Sequence, residues 1–163
     1  MELTNSEIKN LIDIKKYPCS SASIDFPLQG ETIDIELCND TGRIKFQADI
    51  NRANRIVNKL TLQLRHKKIF RLRRIDFNGN HKNPPGPAPD DIFLGFEEYS
   101  FNRLDHIHFY IEGYNDRWAL PLTVLPEIGL LDSDDAYEKM IKFFNFCNVE
   151  NLDIKIRKSL TFY

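Results

Sequence analysis

The chain has no apolar run approaching the roughly 18 residues that a membrane-spanning helix requires. Its first residues, Met1-Glu2-Leu3-Thr4-Asn5, carry neither the basic nor the apolar region of a secretion signal, so a cytoplasmic location away from membranes is the expectation. Cysteine is scarce and odd in number: Cys19, Cys38 and Cys147 form no C-x-x-C pair and read as reduced thiols in a reducing compartment. No Walker-type loop, no G-x-G-x-x-G and no G-x-S-x-G occurs. Nucleotide hydrolysis, dinucleotide redox chemistry and the usual serine-hydrolase arrangement therefore lack support, and no cofactor is expected. A dominant charge is missing too, because 22 Lys plus Arg stand against 24 Asp plus Glu, and bulk charge does not mark a nucleic-acid binder. What is present is a composition of 42% hydrophobic and 12% aromatic residues over 163 positions. That is enough to close one core, so a single domain over 1–163 is expected, and disorder, collagen-like repeats and a pure coiled coil are excluded.

Hydrophobic periodicity divides the chain. Thr4-x-x-Glu7 is a capping box with Leu3 and Ile8 as a staple, and Ile8, Leu11 and Ile12 follow at helical spacing, which predicts a helix from about Asn5 to Lys16. The period then falls to two. Ile33, Ile35 and Leu37, then Ile44, Phe46, Ala48 and Ile50, alternate with polar residues around Asn39-Asp40-Thr41-Gly42, which predicts a hairpin with one buried face. Leu60, Leu62 and Leu64 with Phe70 and Leu72 predict a second hairpin that turns near Lys67-Lys68 and loses its alternation at Arg74-Ile75. The prolines and glycines between Asn78 and Asp91 predict a long loop. A fifth strand follows over Asp105 to Glu112, and a short sixth over Trp118 to Val124 is interrupted by Pro121. Asp132-Ser133-Asp134-Asp135 caps a second helix whose Tyr137, Met140, Ile141, Phe144 and Cys147 form one stripe, and Leu152, Ile154 and Ile156 suggest a last edge strand. The fold class is α+β: five to seven antiparallel strands in a sheet or partly closed barrel, with one N-terminal and one C-terminal helix.

Charge is unevenly distributed. Residues 51–75 hold Arg52, Arg55, Lys59, Arg65, Lys67, Lys68, Arg71, Arg73 and Arg74 and no acid, whereas acids dominate from 76 to 138. Simple alternation puts Lys59, Arg65, Arg71 and Arg73 on the solvent face of the second hairpin, with Lys67 and Lys68 at its turn, a surface suited to tracking phosphates beside Thr61 and Gln63. Exposed hairpins also carry charge simply to resist edge pairing, and an acidic half can neutralise a basic one within the molecule or in a homodimer.

The densest chemistry lies in the fifth strand. His106, His108, Tyr110 and Glu112 share one parity and, at period two, one face, with His81 in the preceding loop. Three readings compete. The residues can be the ordinary polar face of a strand, or satisfied core groups. They can be metal ligands, since His106, His108 and Glu112 place two imidazoles and a carboxylate on one strand as in the first cupin motif, although Ser100 stands where that motif has glycine and no later histidine follows. Or they can serve metal-independent acid–base cleavage of RNA. His81, His106 or His108 would then supply base and acid, Tyr110 or Tyr114 a proton, and Arg117 or a hairpin arginine the cation on the developing charge. Trp118, beside Ala119 and Leu120, reads first as a core anchor and only second as a stacking platform.

Ile75 to Pro84, His106 to Tyr114 and Asp116 to Ala119 together resemble an uncharacterised small bacterial domain family with an H-x-N-P, H-x-H-x-Y-x-E-G-Y and D-x-W-A-x-P core. The likeness runs from His81 to Pro121 and implies that these residues belong together. The family's loop usually reads N-P-D-G, whereas this chain has Asn83-Pro84-Pro85-Gly86-Pro87, which leaves the loop acid missing or displaced to Asp90 or Asp91. The leading expectation is a bacterial protein that binds RNA or another phosphate-rich partner through its basic hairpin and cleaves it in the manner of a toxin or phage-defence ribonuclease. The alternatives are a non-catalytic binding protein of a mobile element, such as an inhibitor of a host defence complex whose acidic half mimics nucleic acid or docks on a basic groove, and a cupin-like metalloprotein using His106, His108 and Glu112; an acidic protein is the other partner expected.

Overall fold

The computed structural model describes residues 1–56 and 58–158. In chain order it comprises α1 (Asn5–Asp13), β1 (Tyr17–Pro18), β2 (Ile24–Asp25), β3 (Thr32–Cys38), β4 (Lys45–Asn51), β5 (Leu60–His66), β6 (Phe70–Lys82), β7 (Ser100–Ile111), β8 (Asn115–Pro121), α2 (Ala136–Phe146), α3 (Leu152–Lys155) and β9 (Ile156–Arg157). Seven strands form one antiparallel sheet in the order β1-β3-β4-β5-β6-β7-β8, while β2 and β9 pair separately in parallel. The sheet is open, ending at β1 and β8, so of the two expected forms the barrel is excluded.

The register sorts the side chains. On one face Ile50, Leu62, Ile75, Ile107 and Leu120 fall opposite one another from β4 to β8, and all are fully buried. α2 contributes Met140, Phe143 and Phe144, and α1 contributes Ile8 and Ile12, to the same core. Both helices begin with full capping boxes, Thr4 with Glu7 and Asp135 with Glu138, as their sequences predict for the first and in reinforced form for the second. The opposite face carries a polar row, Asp34, Asp49, Gln63, Arg74 and His108, in neighbouring positions across five strands.

Several boundaries differ from expectation for identifiable reasons. α1 ends at Asp13 because the chain must straighten for Lys16 to bridge Val149 and for β1 to pair with β3. Leu152, Ile154 and Ile156 do not alternate in a strand: Leu152 and Ile156 are buried while Ile154 is 69% exposed, and the segment folds as α3 leading into the short β9. The sixth strand begins three residues earlier, at Asn115, and gives way to a 3-10 turn after Pro121. Most consequential is β6. The proline loop begins only after Lys82, because Asn78 to Lys82 continue the strand through irregular pairing with β7, in which Gly79 faces Leu104 and His81 faces Phe101. A bulge also falls earlier than the sequence suggests: Leu64 pairs with Arg73 and Arg65 with Arg71, which leaves Leu72 as the extra residue.

Candidate functional site

The bulge at Leu72 fixes which cations the open face presents. Leu72 and Arg73 both turn towards the helices, and Arg73 donates to the Phe146 carbonyl at 3.0 Å with its guanidinium over the Phe146 ring. Arg73 is therefore not on the phosphate-tracking face that simple alternation assigns it. Arg74 takes that face instead. Arg65 points into the open cleft but is held by both oxygens of Asp49, at 2.6 and 3.1 Å. Arg71 is half exposed, 3.5 Å from Asp116. Lys67 and Lys68 stand exposed in the turn, both with positive φ, and Lys59 lies half-buried near the start of β5.

The histidines do converge. The ring of His81 lies 4.5 Å from that of His108 and 5.8 Å from that of His106, and the last two are 5.0 Å apart, centroid to centroid. The extension of β6 beyond Asn78 is what delivers His81 there. His106 and His108, however, are 0% and 1% exposed, the former stacked on Phe101 at 4.7 Å. Only His81 reaches solvent in part.

Hydrogen bonds assign the protons. His106 Nδ1–H donates to the Leu104 carbonyl at 2.7 Å and His108 Nδ1–H to the Asp116 carbonyl at 2.8 Å; carbonyls only accept, so each neutral ring keeps a lone pair on Nε2. Those lone pairs face Asp76, whose Oδ2 is 3.6 Å from His106 Nε2 and 3.3 Å from His108 Nε2. Arg74 bridges part of this set, donating from Nε to Asp76 at 2.9 Å and from Nη2 to His108 Nε2 at 3.0 Å. Thr61 donates its hydroxyl to the other Asp76 oxygen at 2.7 Å. His106 Nε2 is buried and has no hydrogen-bond partner among the described residues. His81 is oriented the other way: its Nε2–H lies 3.1 Å from Asn83 Oδ1 and 3.0 Å from the Arg117 carbonyl.

The remaining candidates lie elsewhere. Tyr110 packs edge-on against Phe70 at 5.9 Å, and its hydroxyl accepts from Leu3 N–H, within the core. Tyr114 belongs to the β7–β8 turn, and the Arg117 guanidinium donates back to the carbonyls of Tyr114 and Gly113. Only the Arg117 carbonyl joins the cluster. Glu112 accepts from Asn5 N–H at 2.9 Å at the start of α1, so the carboxylate beside the two imidazoles is Asp76 from the adjacent strand. Trp118 is fully buried and tilted against Phe93, in the anchoring role expected first. Asp76 and Arg74, which complete the site, are the two residues that sequence reasoning missed. The available signal was their shared parity around the apolar Ile75, next to the His-x-His strand.

Burial pushes the pKa values of His66, His81, His106 and His108 below the ordinary imidazole value. Burial also resists ionisation of Asp76, but the Arg74 guanidinium and the Thr61 hydroxyl that donate to it outweigh this and hold the carboxyl well below the usual carboxylate range. The unfolded chain therefore takes up protons near pH 6.5 that the folded chain refuses, so stability is complete above about pH 6.5 and is lost as pH falls from there through the lowered folded values. Asp76 extends the loss in the same direction further into acid. Thermal melts in chelator should show a Tm that is level well above pH 6.5 and falls as pH drops from about 6.5 to 5.5; a flat profile over that lower interval would contradict the neutral cluster.

Among the described residues no helix is long and apolar enough to cross a membrane. No curated protein and no solved structure matches the chain. One family model does match, over residues 3–149, a span that runs from before α1 to beyond α2 and contains the whole histidine cluster. The chain belongs to that family, DUF6978, a family of unknown function.

Proposed function

We propose that the protein binds a phosphate-rich partner, single-stranded RNA in the first instance, along the open face of its sheet. The observation that carries this reading is a row of three cavities along the open face that share lining residues. A cleft of about 660 Å³ over β3 to β6 contains Arg65, Arg71 and Arg74. It shares Asp34 and Gln47 with a cavity of about 540 Å³ that reaches Lys67 and Lys68. At its other end it shares Thr61, Arg74 and Asp76 with a second cavity of about 540 Å³ that reaches Lys59. Five of the six hairpin cations picked from the sequence thus line one track, with Thr61 and Gln63 as neutral hydrogen-bonding groups on its floor. Asp49, the central carboxylate, is already engaged by Arg65, Gln63 and Gln47. Lys59, Lys67 and Lys68 form no close ion pair among the described residues.

The same geometry separates binding from cleavage. A proton-transferring imidazole must come within hydrogen-bonding reach of the substrate, and His106 and His108 are sealed. His81 alone does not supply both acid and base, so the reading is one of binding, with the RNA left intact in chelator.

Fluorescence anisotropy with a short labelled single-stranded RNA tests it. Affinity should fall with salt, and each groove cation replaced should reduce the log–log salt slope by about 0.7. Lys67→Glu with Lys68→Glu, both at an exposed turn where folding is not at stake, should weaken binding at least about tenfold at low salt. Absence of salt-dependent binding, or binding unmoved by this double change, overturns the proposal and leaves an acidic protein as the partner to seek.

A further inference from the structure

We infer that Asp76, His106 and His108 form a binding site for a divalent transition-metal ion, of which zinc is the representative, and that Arg74 holds the site when the ion is absent. The inference rests on the cluster alone and not on the RNA reading.

Three lone-pair-bearing atoms, Asp76 Oδ2 and the two Nε2 atoms, lie within 4.8 Å of one another. An ion with tetrahedral bonds of about 2.0–2.1 Å to nitrogen and oxygen separates its ligand atoms by about 3.3–3.4 Å. Asp76 Oδ2 stands 3.3 and 3.6 Å from the two ring nitrogens, already near that spacing. Two imidazoles and a carboxylate suit zinc, iron and manganese.

The surroundings match a ligating set. Metal-bound histidines donate their second N–H to a carbonyl or carboxylate, and ligating carboxylates are themselves hydrogen-bonded. Here Leu104 and Asp116 carbonyls take the two Nδ1–H groups, and Thr61 donates to the second Asp76 oxygen. Gly79 keeps the two strands' side chains close, since a Cβ at that position would stand 2.9 Å from Asp76 Cβ and 3.1 Å from His106 Cε1. His106 Nε2 provides the independent pointer to a ligand: a buried acceptor aimed into the cluster that no described group satisfies.

Arg74 is the competing cation. Its guanidinium donates to two of the three candidate ligand atoms and leaves the third unserved. It also has somewhere else to go, because Nη1 already lies 3.5 Å from Asp116. An arriving ion transfers Arg74 wholly to Asp116 and takes the three lone pairs for itself. The route in is the cleft, into which both Arg74 and Asp76 open.

The test is titration of chelator-treated protein with ZnCl₂ by calorimetry and with CoCl₂ by visible absorption. The expected result is one equivalent bound, with a cobalt spectrum of nitrogen and oxygen ligation and no thiolate charge-transfer band. Asp76→Asn and His106→Gln should each weaken binding by more than about a hundredfold, whereas His66→Gln, outside the cluster, should leave it unchanged. Arg74→Gln removes the competitor and should tighten binding, which guards against loss of folding in the ligand variants. Uptake by neither the wild-type protein nor Arg74→Gln overturns the site and makes Arg74 its permanent cation. Uptake that survives in Asp76→Asn or His106→Gln overturns it as well.

Discussion

Asn83→Ala is expected to destabilise the fold by on the order of 3–5 kcal/mol and to release His81 from its neighbours. Asn83 is 2% exposed and uses its whole side-chain amide. Nδ2 donates to the carbonyls of Phe96 at 3.1 Å and Ala119 at 2.8 Å, while Oδ1 accepts from Ala119 N–H at 2.9 Å and faces His81 Nε2 at 3.1 Å. One side chain thus joins the proline loop, the backbone of β8 and the histidine cluster. Truncation strands the Ala119 carbonyl and its buried N–H at once, and each such group costs about 1–3 kcal/mol, while the Phe96 carbonyl keeps the Tyr99 N–H. Asn83→Asp should be at least as damaging, because it aims a carboxylate oxygen at two carbonyls. Urea unfolding reads the stability. An NMR titration reads the histidine: burial is the largest cause of its lowered pKa, so with the ring freer to meet water the His81 pKa should rise towards the ordinary imidazole value despite loss of the Asn83 acceptor, which itself favours the protonated ring. A loss below about 1 kcal/mol would show that the loop is held by something other than this amide.

Lys16→Met should cost on the order of 3 kcal/mol although Lys16 forms no close ion pair with an acid among the described residues. Lys16 is fully buried, and its three N–H groups go to the carbonyls of Ile12 at 2.9 Å, Ile14 at 2.7 Å and Cys147 at 3.0 Å. Those carbonyls close the last turns of both α1 and α2, so one ammonium sits at the negative ends of two helices. Burial pushes its pKa down to about 8, the mark of a charge removed from water, and the three matched acceptors are what keep it in place. Methionine fills much of the volume and satisfies none of the oxygens, so the measured loss isolates the polar contacts from the packing. A melting temperature within a degree or two of the wild-type value would mean that water replaces the ammonium.

The legible part of this molecule was whatever depended on local periodicity. The first capping box, the acidic cap of the second helix, the hairpins and the shared face of His106 and His108 follow from residues two to four apart, and the structure has them. Bulges were not legible, and they decide the site. A single extra residue at Leu72 exchanges the faces of Arg73 and Arg74. Irregular pairing around Gly79 turns an expected loop into the strand that carries His81. Asp76 was overlooked for the same reason: its role arises from lying opposite His106 on the next strand, a relation between positions 30 apart that no alternation within one segment contains. Glu112 looked like the third ligand because it shares a strand with the histidines, yet the turn into β8 carries it to α1.

The contact between Lys16 and Cys147 also bears on how the chain assembles during synthesis. From β3 to β8 each strand pairs with the one made just before it, so the sheet can grow by successive local additions as the polypeptide emerges. The ammonium near the beginning, by contrast, waits for a carbonyl made 131 residues later. Until then the first helix has a buried-type cation without its full set of oxygens, so its final docking waits for the segment that follows the second helix.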